Sequence, residues 1–179
     1  MIKLVIQGLA LATLLSDLFI LHLVILFILE KLKLFQGLSQ HQRRFSPHAY
    51  AFAFLVSLTA TLGSLFFSEV AKFQPCILCW YQRIMMYPQS ILFYLAVIRN
   101  EKVLTPYLIV LNTIGAVIAT YHYLIQRLPT MNILPCQAAG EVSCTKGYTL
   151  YFGYITIPLM ALTAFLLNII FLSFAKKTK

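Results

Sequence analysis

The class of this protein is set by residues 4–29, which read LVIQGLALATLLSDLFILHLVILFIL and contain one acid, Asp17, and one imidazole, His22. A helix that crosses a membrane needs about 20 mostly apolar residues, because lipid offers its backbone no hydrogen-bond partner. This run is about twice as long as the apolar core of a signal peptide, so we expect a retained helix. Further runs lie at about residues 49–68, 80–98, 103–125 and 149–174. The sequence therefore predicts an all-α integral membrane protein with five spans.

The composition of the whole chain supports this class. Hydrophobic residues make up 60% of the 179 residues, and charged residues make up only 11%. A soluble domain has about 25% charged residues. So little charge cannot cover a surface that faces water, which excludes the soluble, disordered and nucleic-acid-binding classes.

The net charge of +9 is a topology signal, because cytoplasmic loops carry an excess of lysine and arginine. One set of loops holds nine of these residues, namely Lys31, Lys33, Arg43, Arg44, Arg99, Lys102, Lys176, Lys177 and Lys179. The opposite set holds four, namely Lys3, Lys72, Arg127 and Lys146. We therefore expect the C-terminus in the cytoplasm and the N-terminus outside. All four cysteines then lie on the outer, oxidising side, where disulfides persist.

The clearest chemical signal is the sequence PCILCWYQR at residues 75–83. Cys76 and Cys79 are separated by two residues, a spacing in which one thiol often has a lowered pKa. Pro75 ends the preceding segment, so we expect the pair at a helix N-terminus, where the helix dipole favours a thiolate. Arg83 lies one turn after Cys79, and an arginine inside a span needs a polar or anionic partner such as that thiolate. The alternative is a structural disulfide that pins the end of the helix.

A second pair, Cys136 and Cys144, encloses seven residues of an outer loop. A disulfide in so short and exposed a ring exchanges readily, although a purely structural bridge is an equal alternative. Metal binding is a weaker interpretation, because structural zinc sites usually combine two closely spaced pairs. Only Cys76 and Cys79 have that spacing, while His122 lies near an outer helix end and is the one imidazole that could assist. We expect no metal site.

Two redox-competent cysteine pairs on one helical bundle suggest an electron relay by thiol–disulfide exchange. Such a relay needs a terminal electron acceptor, and the sequence carries no haem, iron–sulfur or flavin motif. A lipid-soluble quinone fits this role, because it diffuses in the bilayer and can meet Cys79 at the membrane interface.

Asp17 lies near the middle of the first predicted span. An acid at this depth is a candidate functional residue, because a charge inside the bilayer is costly. The alternative is a protonated Asp17 that hydrogen-bonds a neighbouring helix, with Asn112 and Thr113 as candidate partners.

The run CILCWYQRIMMYP at residues 76–88 resembles the signature of the DsbB/BdbC family of disulfide-bond-formation proteins. The second cysteine loop, together with FGYITIP at residues 152–158, is similar to the BdbC branch. The resemblance covers about residues 49–174 and implies a four-helix transmembrane bundle over residues 49–179. Residues 1–48 would then be an additional transmembrane helix and a basic cytoplasmic loop. In the vitamin K epoxide reductase architecture the loop cysteines precede the CxxC pair, which is the reverse of the order here.

The resemblance implies a protein-disulfide:quinone oxidoreductase of the bacterial plasma (inner) membrane, with its cysteine loops on the periplasmic or extracellular side. Its partners would be a DsbA-like thioredoxin-fold oxidase, membrane lipid and a quinone, either ubiquinone or menaquinone, and no nucleic acid. It would support disulfide formation in exported proteins. The alternative function is a transporter or binding protein with structural disulfides.

The resemblance also implies a role for each site residue, with all four cysteines catalytic. Cys136 would be attacked by the reduced partner, and the released Cys144 would attack Cys76 and join the two loops. Cys79 would contact the quinone, and Arg83 would stabilise the thiolate or the quinone oxygen. The second loop is shorter than in the best-known members, which leaves the docking of the partner open. The family core also lacks a counterpart of the first span.

Overall fold

The computed structural model describes residues 2–34, 37–99, 102–128 and 142–176. Within these residues lie six α-helices, namely α1 (Ile2–Lys31), α2 (Leu38–Phe45), α3 (Ala49–Leu65), α4 (Ile77–Arg99), α5 (Thr105–Arg127) and α6 (Ile157–Lys176). A 3₁₀ turn at Ser46–His48 leads into α3, and a π-helical turn at Phe66–Val70 extends it.

The long helices match the five predicted spans. In the described part of the chain, four helical segments are long and apolar enough to cross a membrane, namely Ile2–Lys31, Gln40–Val70, Thr105–Arg127 and Ile157–Ala175. Helix α4 is less apolar, yet its 23 residues extend about 35 Å, which exceeds the ~30 Å hydrocarbon core. Its side chains Gln82 and Gln89 are buried among the other helices. The predicted all-α fold is confirmed.

Helices α3 to α6 form a four-helix bundle. α3 packs against α4 and α6, and α5 packs against the same two helices. The approach of α5 to α6 depends on Gly115, because a Cβ at this position would overlap the ring of Phe165. α1 lies beside the bundle and packs on α6. Its outer face is apolar and exposed, with Leu4 at 74%, as suits a helix surface that contacts lipid.

A chain of polar side chains joins all four helices at the centre of the bundle. The Nδ2 amide of Asn112 (α5) donates to Oε1 of Gln89 (α4). The Nδ2 amide of Asn168 (α6) donates to Oδ1 of Asn112 over 3.2 Å and to Oγ of Ser57 (α3) over 3.0 Å. All four side chains are fully buried. Each helix therefore contributes one residue to a single hydrogen-bonded network, which fixes how the four helices are rotated against one another.

Asp17 lies on α1 and bonds to the C-terminal part of the chain. Its carboxylate accepts hydrogen bonds from Oγ1 of Thr163 over 2.7 Å and from the hydroxyl of Tyr154 over 3.2 Å. The expectation that Asn112 or Thr113 would be its partner is wrong. Asn112 bonds to Gln89 and Asn168 in the central network. Thr113 donates to the carbonyl of Ile109 on its own helix.

The fifth span begins later than the expected residue 149. Residues 149–156 form a turn in which Tyr151 and Ile155 exchange backbone hydrogen bonds of 2.9 and 2.8 Å. Phe152 and Gly153 have positive φ angles of 52° and 78°, which no helix accommodates. Helix α6 starts at Ile157, and Pro158 then lies in the first turn, where its missing N–H costs nothing. The predicted boundary is wrong because this turn is rich in aromatic residues, which resemble an apolar run.

We expect Asn112→Ala to lower the free energy of unfolding by about 1–3 kcal/mol, because it removes the link between Gln89 and Asn168 in the core. Thr113→Ala is the matched control, since Thr113 is exposed and bonds to its own helix. Unfolding in mixed micelles of mild detergent and SDS, followed by circular dichroism, measures both variants. Equal losses would contradict the role given to the central network.

Candidate redox site

Cys76 lies directly before α4, and Cys79 lies in its first turn, ahead of the apolar run that begins at residue 80. Their sulfur atoms are 3.2 Å apart, so one thiol can donate a hydrogen bond to the other. Cys76 is buried at 5% exposure, whereas Cys79 is half-buried. The two sulfurs of the CxxC pair therefore have different surroundings.

These surroundings give the two thiols opposite pKa shifts. The hydrogen bond to Cys79, together with burial, raises the pKa of Cys76 to about 12. The same hydrogen bond, now received from Cys76, lowers the pKa of Cys79, and the charge of Arg83 adds to this effect against the opposing effect of burial. Cys76 is thus the proton-bearing thiol of the reduced pair, and Cys79 is the residue that ionises first. The pKa of Cys79 is therefore shifted in the expected direction, but the main cause is the hydrogen bond from Cys76 and not the helix dipole.

Arg83 lies one turn deeper and is held by neutral groups. Its Nε donates to Oγ of Ser64 over 3.0 Å, and its Nη2 donates to the carbonyl of Ser64 over 3.2 Å. The hydroxyl of Tyr87 also donates to Oγ of Ser64, over 3.1 Å. The guanidinium carbon lies 5.2 Å from the ring centre of Trp80, in a cation–π contact. These contacts orient Arg83 without neutralising it, so its charge acts on Cys79.

His122, on α5, is fully buried next to Cys76. Its Nδ1 lies 2.9 Å from Nε2 of Gln82, within hydrogen-bonding distance. Nε2 lies 3.2 Å from the carbonyl of Cys144 and 3.6 Å from the sulfur of Cys76. His122 therefore connects the CxxC pair to the second cysteine segment.

The second cysteine segment packs against the first. Cys144 is fully buried in one apolar cluster with Cys76, Leu78 and Ile125. The ring of Tyr148 stacks on Phe73 with their centres 4.7 Å apart. The structure thus brings Cys76, Cys79 and Cys144 together at one end of the bundle. The remaining predicted site cysteine, Cys136, lies outside the described residues.

The sulfurs of Cys76 and Cys79 and a ring nitrogen of His122 lie within 4.8 Å of one another, an arrangement that could hold a metal ion. Zinc in structural sites takes four protein ligands, and this cluster of described residues offers three. The absence of a metal therefore remains a prediction. No local pattern in the sequence indicates that His122 reaches Cys76, which is 46 residues away in the chain.

An apolar cavity of about 360 Å³ opens beside the redox pair. Its polar groups include Cys79, Arg83, Ser64 and Tyr87, and most of the remaining wall is aliphatic or aromatic. Cavities of about 300–1,000 Å³ suit small ligands. The cavity can therefore take an apolar molecule that presents one or two oxygen atoms to Cys79 and Arg83.

The comparisons with known proteins agree with this chemistry. The family model described as "Disulfide bond formation protein DsbB" matches residues 46–175. Disulfide bond formation protein C of Bacillus subtilis is 44% identical over 128 residues, which cover 71% of this chain and 91% of that protein. Probable disulfide formation protein C 1 of Bacillus anthracis is 46% identical over 110 residues, which cover 62% of this chain and 78% of that protein. SPbeta prophage-derived disulfide bond formation protein B of Bacillus subtilis is 38% identical over 124 residues, or 69% of this chain and 82% of that protein.

No solved structure matches the chain. The matched residues 46–175 contain helices α3 to α6 with the CxxC pair and the second cysteine segment, whereas α1 precedes them. The chain therefore belongs to the DsbB family of disulfide bond formation proteins and is a multi-pass membrane oxidoreductase that forms disulfides.

Proposed function

We propose that this protein re-oxidises a DsbA-like thioredoxin-fold thiol oxidase outside the cytoplasm and passes the electrons to a membrane quinone. The observation that carries this proposal is that Cys79, the more acidic sulfur of the pair, lines an apolar cavity together with Arg83. The excess of Lys and Arg in the opposite loops supports an outer location for the cysteines.

The cavity suits a quinone. A quinone is an apolar ring with two carbonyl oxygens, and when bound it supplies an acceptor for two electrons and two protons. Cys79 and Arg83 would hold it, since the guanidinium is fixed by Ser64 and remains positively charged. Ubiquinone and menaquinone both have this chemistry.

The donor side consists of the second cysteine pair. A thiolate of the reduced partner attacks Cys136 of the Cys136–Cys144 disulfide, and the bond between these two sulfurs breaks. Cys144 leaves as a thiolate and attacks Cys76 of the Cys76–Cys79 disulfide, which releases Cys79. Burial of Cys144 in the same cluster as Cys76 supports this order of attack.

The opposite pKa shifts of Cys76 and Cys79 favour attack by Cys144 at Cys76 rather than at Cys79. A disulfide breaks faster when the departing sulfur has a low pKa, and Cys79 has the lower pKa of the two. Attack at Cys76 therefore leaves the stable thiolate at Cys79, beside Arg83. When the second thiol of the partner resolves its mixed disulfide, Cys136 is released as a thiolate and attacks Cys144, which re-forms the Cys136–Cys144 disulfide and frees Cys76. The partner has then lost two electrons and two protons. Cys76 and Cys79 are left reduced, and the closing of their disulfide would supply the two electrons that the quinone takes up.

We expect the purified protein in detergent to reduce a short-chain quinone when a reduced thioredoxin-fold oxidase is supplied. Cys79→Ser should abolish this reduction, because it removes the sulfur that lines the cavity. The loss of quinone absorbance measures the reaction. Turnover by Cys79→Ser at the original rate would contradict the assignment, and no reduction of either ubiquinone or menaquinone by the unmodified protein would contradict the proposed function.

We expect Arg83→Gln to raise the apparent KM for the quinone by about tenfold or more, because a charged hydrogen bond contributes about 1.5–3 kcal/mol. The matched control is Arg99→Gln, which removes the same charge from the exposed far end of α4. Initial rates against quinone concentration, at saturating partner, measure both variants. The same KM in both would show that Arg83 does not contact the acceptor.

We expect iodoacetamide to alkylate Cys79 of the reduced protein at pH values below 9.0, the ordinary pKa of a thiol, because the pKa of Cys79 is lowered. Thiolate is then lost only when the pH falls through that lowered value, while Cys76, with a pKa of about 12, stays protonated and reacts slowly. Rates of iodoacetamide labelling against pH, read by peptide mass spectrometry, measure both sulfurs. Cys76→Ala should move the Cys79 midpoint upward, and an unchanged midpoint would contradict the hydrogen bond as the main cause.

A further inference from the structure

The helix α1 forms part of the cavity beside Cys79. Its residues Leu9, Ala12, Thr13 and Ser16 line the cavity, and the spacing of these residues puts them on one face of the helix. The opposite walls come from α3, α4 and α6, and they include Arg83 and Cys79. One cavity thus joins the redox pair to a helix that lies outside the family-matched residues 46–175.

This face of α1 is held against the bundle at two levels. Leu9 packs into the space left by Gly63 of α3, where an added Cβ would come within 3.3 Å of Leu9 Cδ1. Two turns further along, Asp17 accepts the hydrogen bonds from Thr163 and Tyr154. Thr163 itself lines the cavity. The opposite face, with Leu11 at 50% and Leu15 at 60% exposure, points away from these contacts.

We propose that α1 is a wall of the quinone site, closing the cavity between α3 and α6, and that Asp17 positions this wall through Thr163. The proposal rests on the quinone assigned above as the electron acceptor. It gives the additional helix a role in binding, since the contact area of the acceptor includes side chains that the four-helix bundle does not supply. Asp17 acts here as a positioning residue, because it bonds to the bundle and not to the acceptor.

The test uses binding in the full chain and needs no turnover. The protein has one tryptophan, Trp80, which packs on Arg83, so quenching of its fluorescence by a short-chain ubiquinone or menaquinone reports occupancy of the cavity. Ser16→Phe adds a ring on the cavity face of α1, and Leu15→Phe places the same ring on the lipid face. We expect Ser16→Phe to raise the quinone Kd by about tenfold or more, which is about 1.4 kcal/mol or more, because the added ring takes volume that the quinone would occupy. Leu15→Phe should leave the Kd unchanged.

A second pair of variants tests the positioning by Asp17. Asp17→Asn keeps an oxygen that accepts from Thr163, whereas Asp17→Leu keeps none. We expect Asp17→Leu to raise the quinone Kd and the quinone KM at unchanged kcat, and Asp17→Asn to retain most of the binding. A purely structural role would lower the unfolding midpoint without this selective rise in Kd and KM, and that result would overturn the assignment of Asp17.

The outcomes separate this inference from the proposed function. If quinone quenches the Trp80 fluorescence of the unmodified protein and of Ser16→Phe with the same Kd, the role assigned to α1 is contradicted. The proposed electron acceptor then stands. If the unmodified protein shows neither quenching nor reduction with either quinone, the proposed function fails first. Should Ser16→Phe not fold, as judged by its unfolding midpoint, Ala12→Ile makes a smaller change on the same face and is measured in its place.

Discussion

The structure depends on a hydrogen-bonded network in the middle of the bundle. Inside lipid, apolar surfaces gain little from meeting one another, so helices need close packing and polar contacts to choose their neighbours. Gln89, Asn112, Asn168 and Ser57 provide those contacts with one residue from each helix of the bundle. The close approach at Gly115 adds the packing. Once the helices are fixed in rotation, Gln82, Arg83 and His122 face inward, and the redox site follows from that rotation.

The redox site is built at the ends of these helices. Cys76 lies directly before α4 and Cys79 lies in its first turn, while α5 supplies His122 to connect Cys76 with the backbone of Cys144. Ser64 of α3 fixes the direction of Arg83. The bundle therefore holds Cys76, Cys79 and Cys144 close together at one of its ends.

Much of this arrangement could be predicted from the sequence, because it depends on local spacing. The spans follow from hydrophobic runs, and the relation of Arg83 to Cys79 follows from one helical turn. Long-range partners could not be predicted in this way. His122 is 46 residues from Cys76, and Asp17 is 146 residues from Thr163, so nothing in either neighbourhood indicates the contact. The start of α6 could not be predicted either, because Leu150, Phe152 and Ile155 continue the hydrophobic run of the sequence, while the backbone of residues 149–156 forms a turn.

The different pKa values of Cys76 and Cys79 determine how the reduction potential of the CxxC pair depends on pH. Between the lowered pKa of Cys79 and the value of about 12 for Cys76, the reduced pair carries one proton, so closing the disulfide releases two electrons and a single proton. The reduction potential of the pair should then fall by about 30 mV for each pH unit, half the slope of a pair that releases two protons. Within that pH interval, a rise in acidity would therefore change the driving force of this pair less than that of an ordinary dithiol.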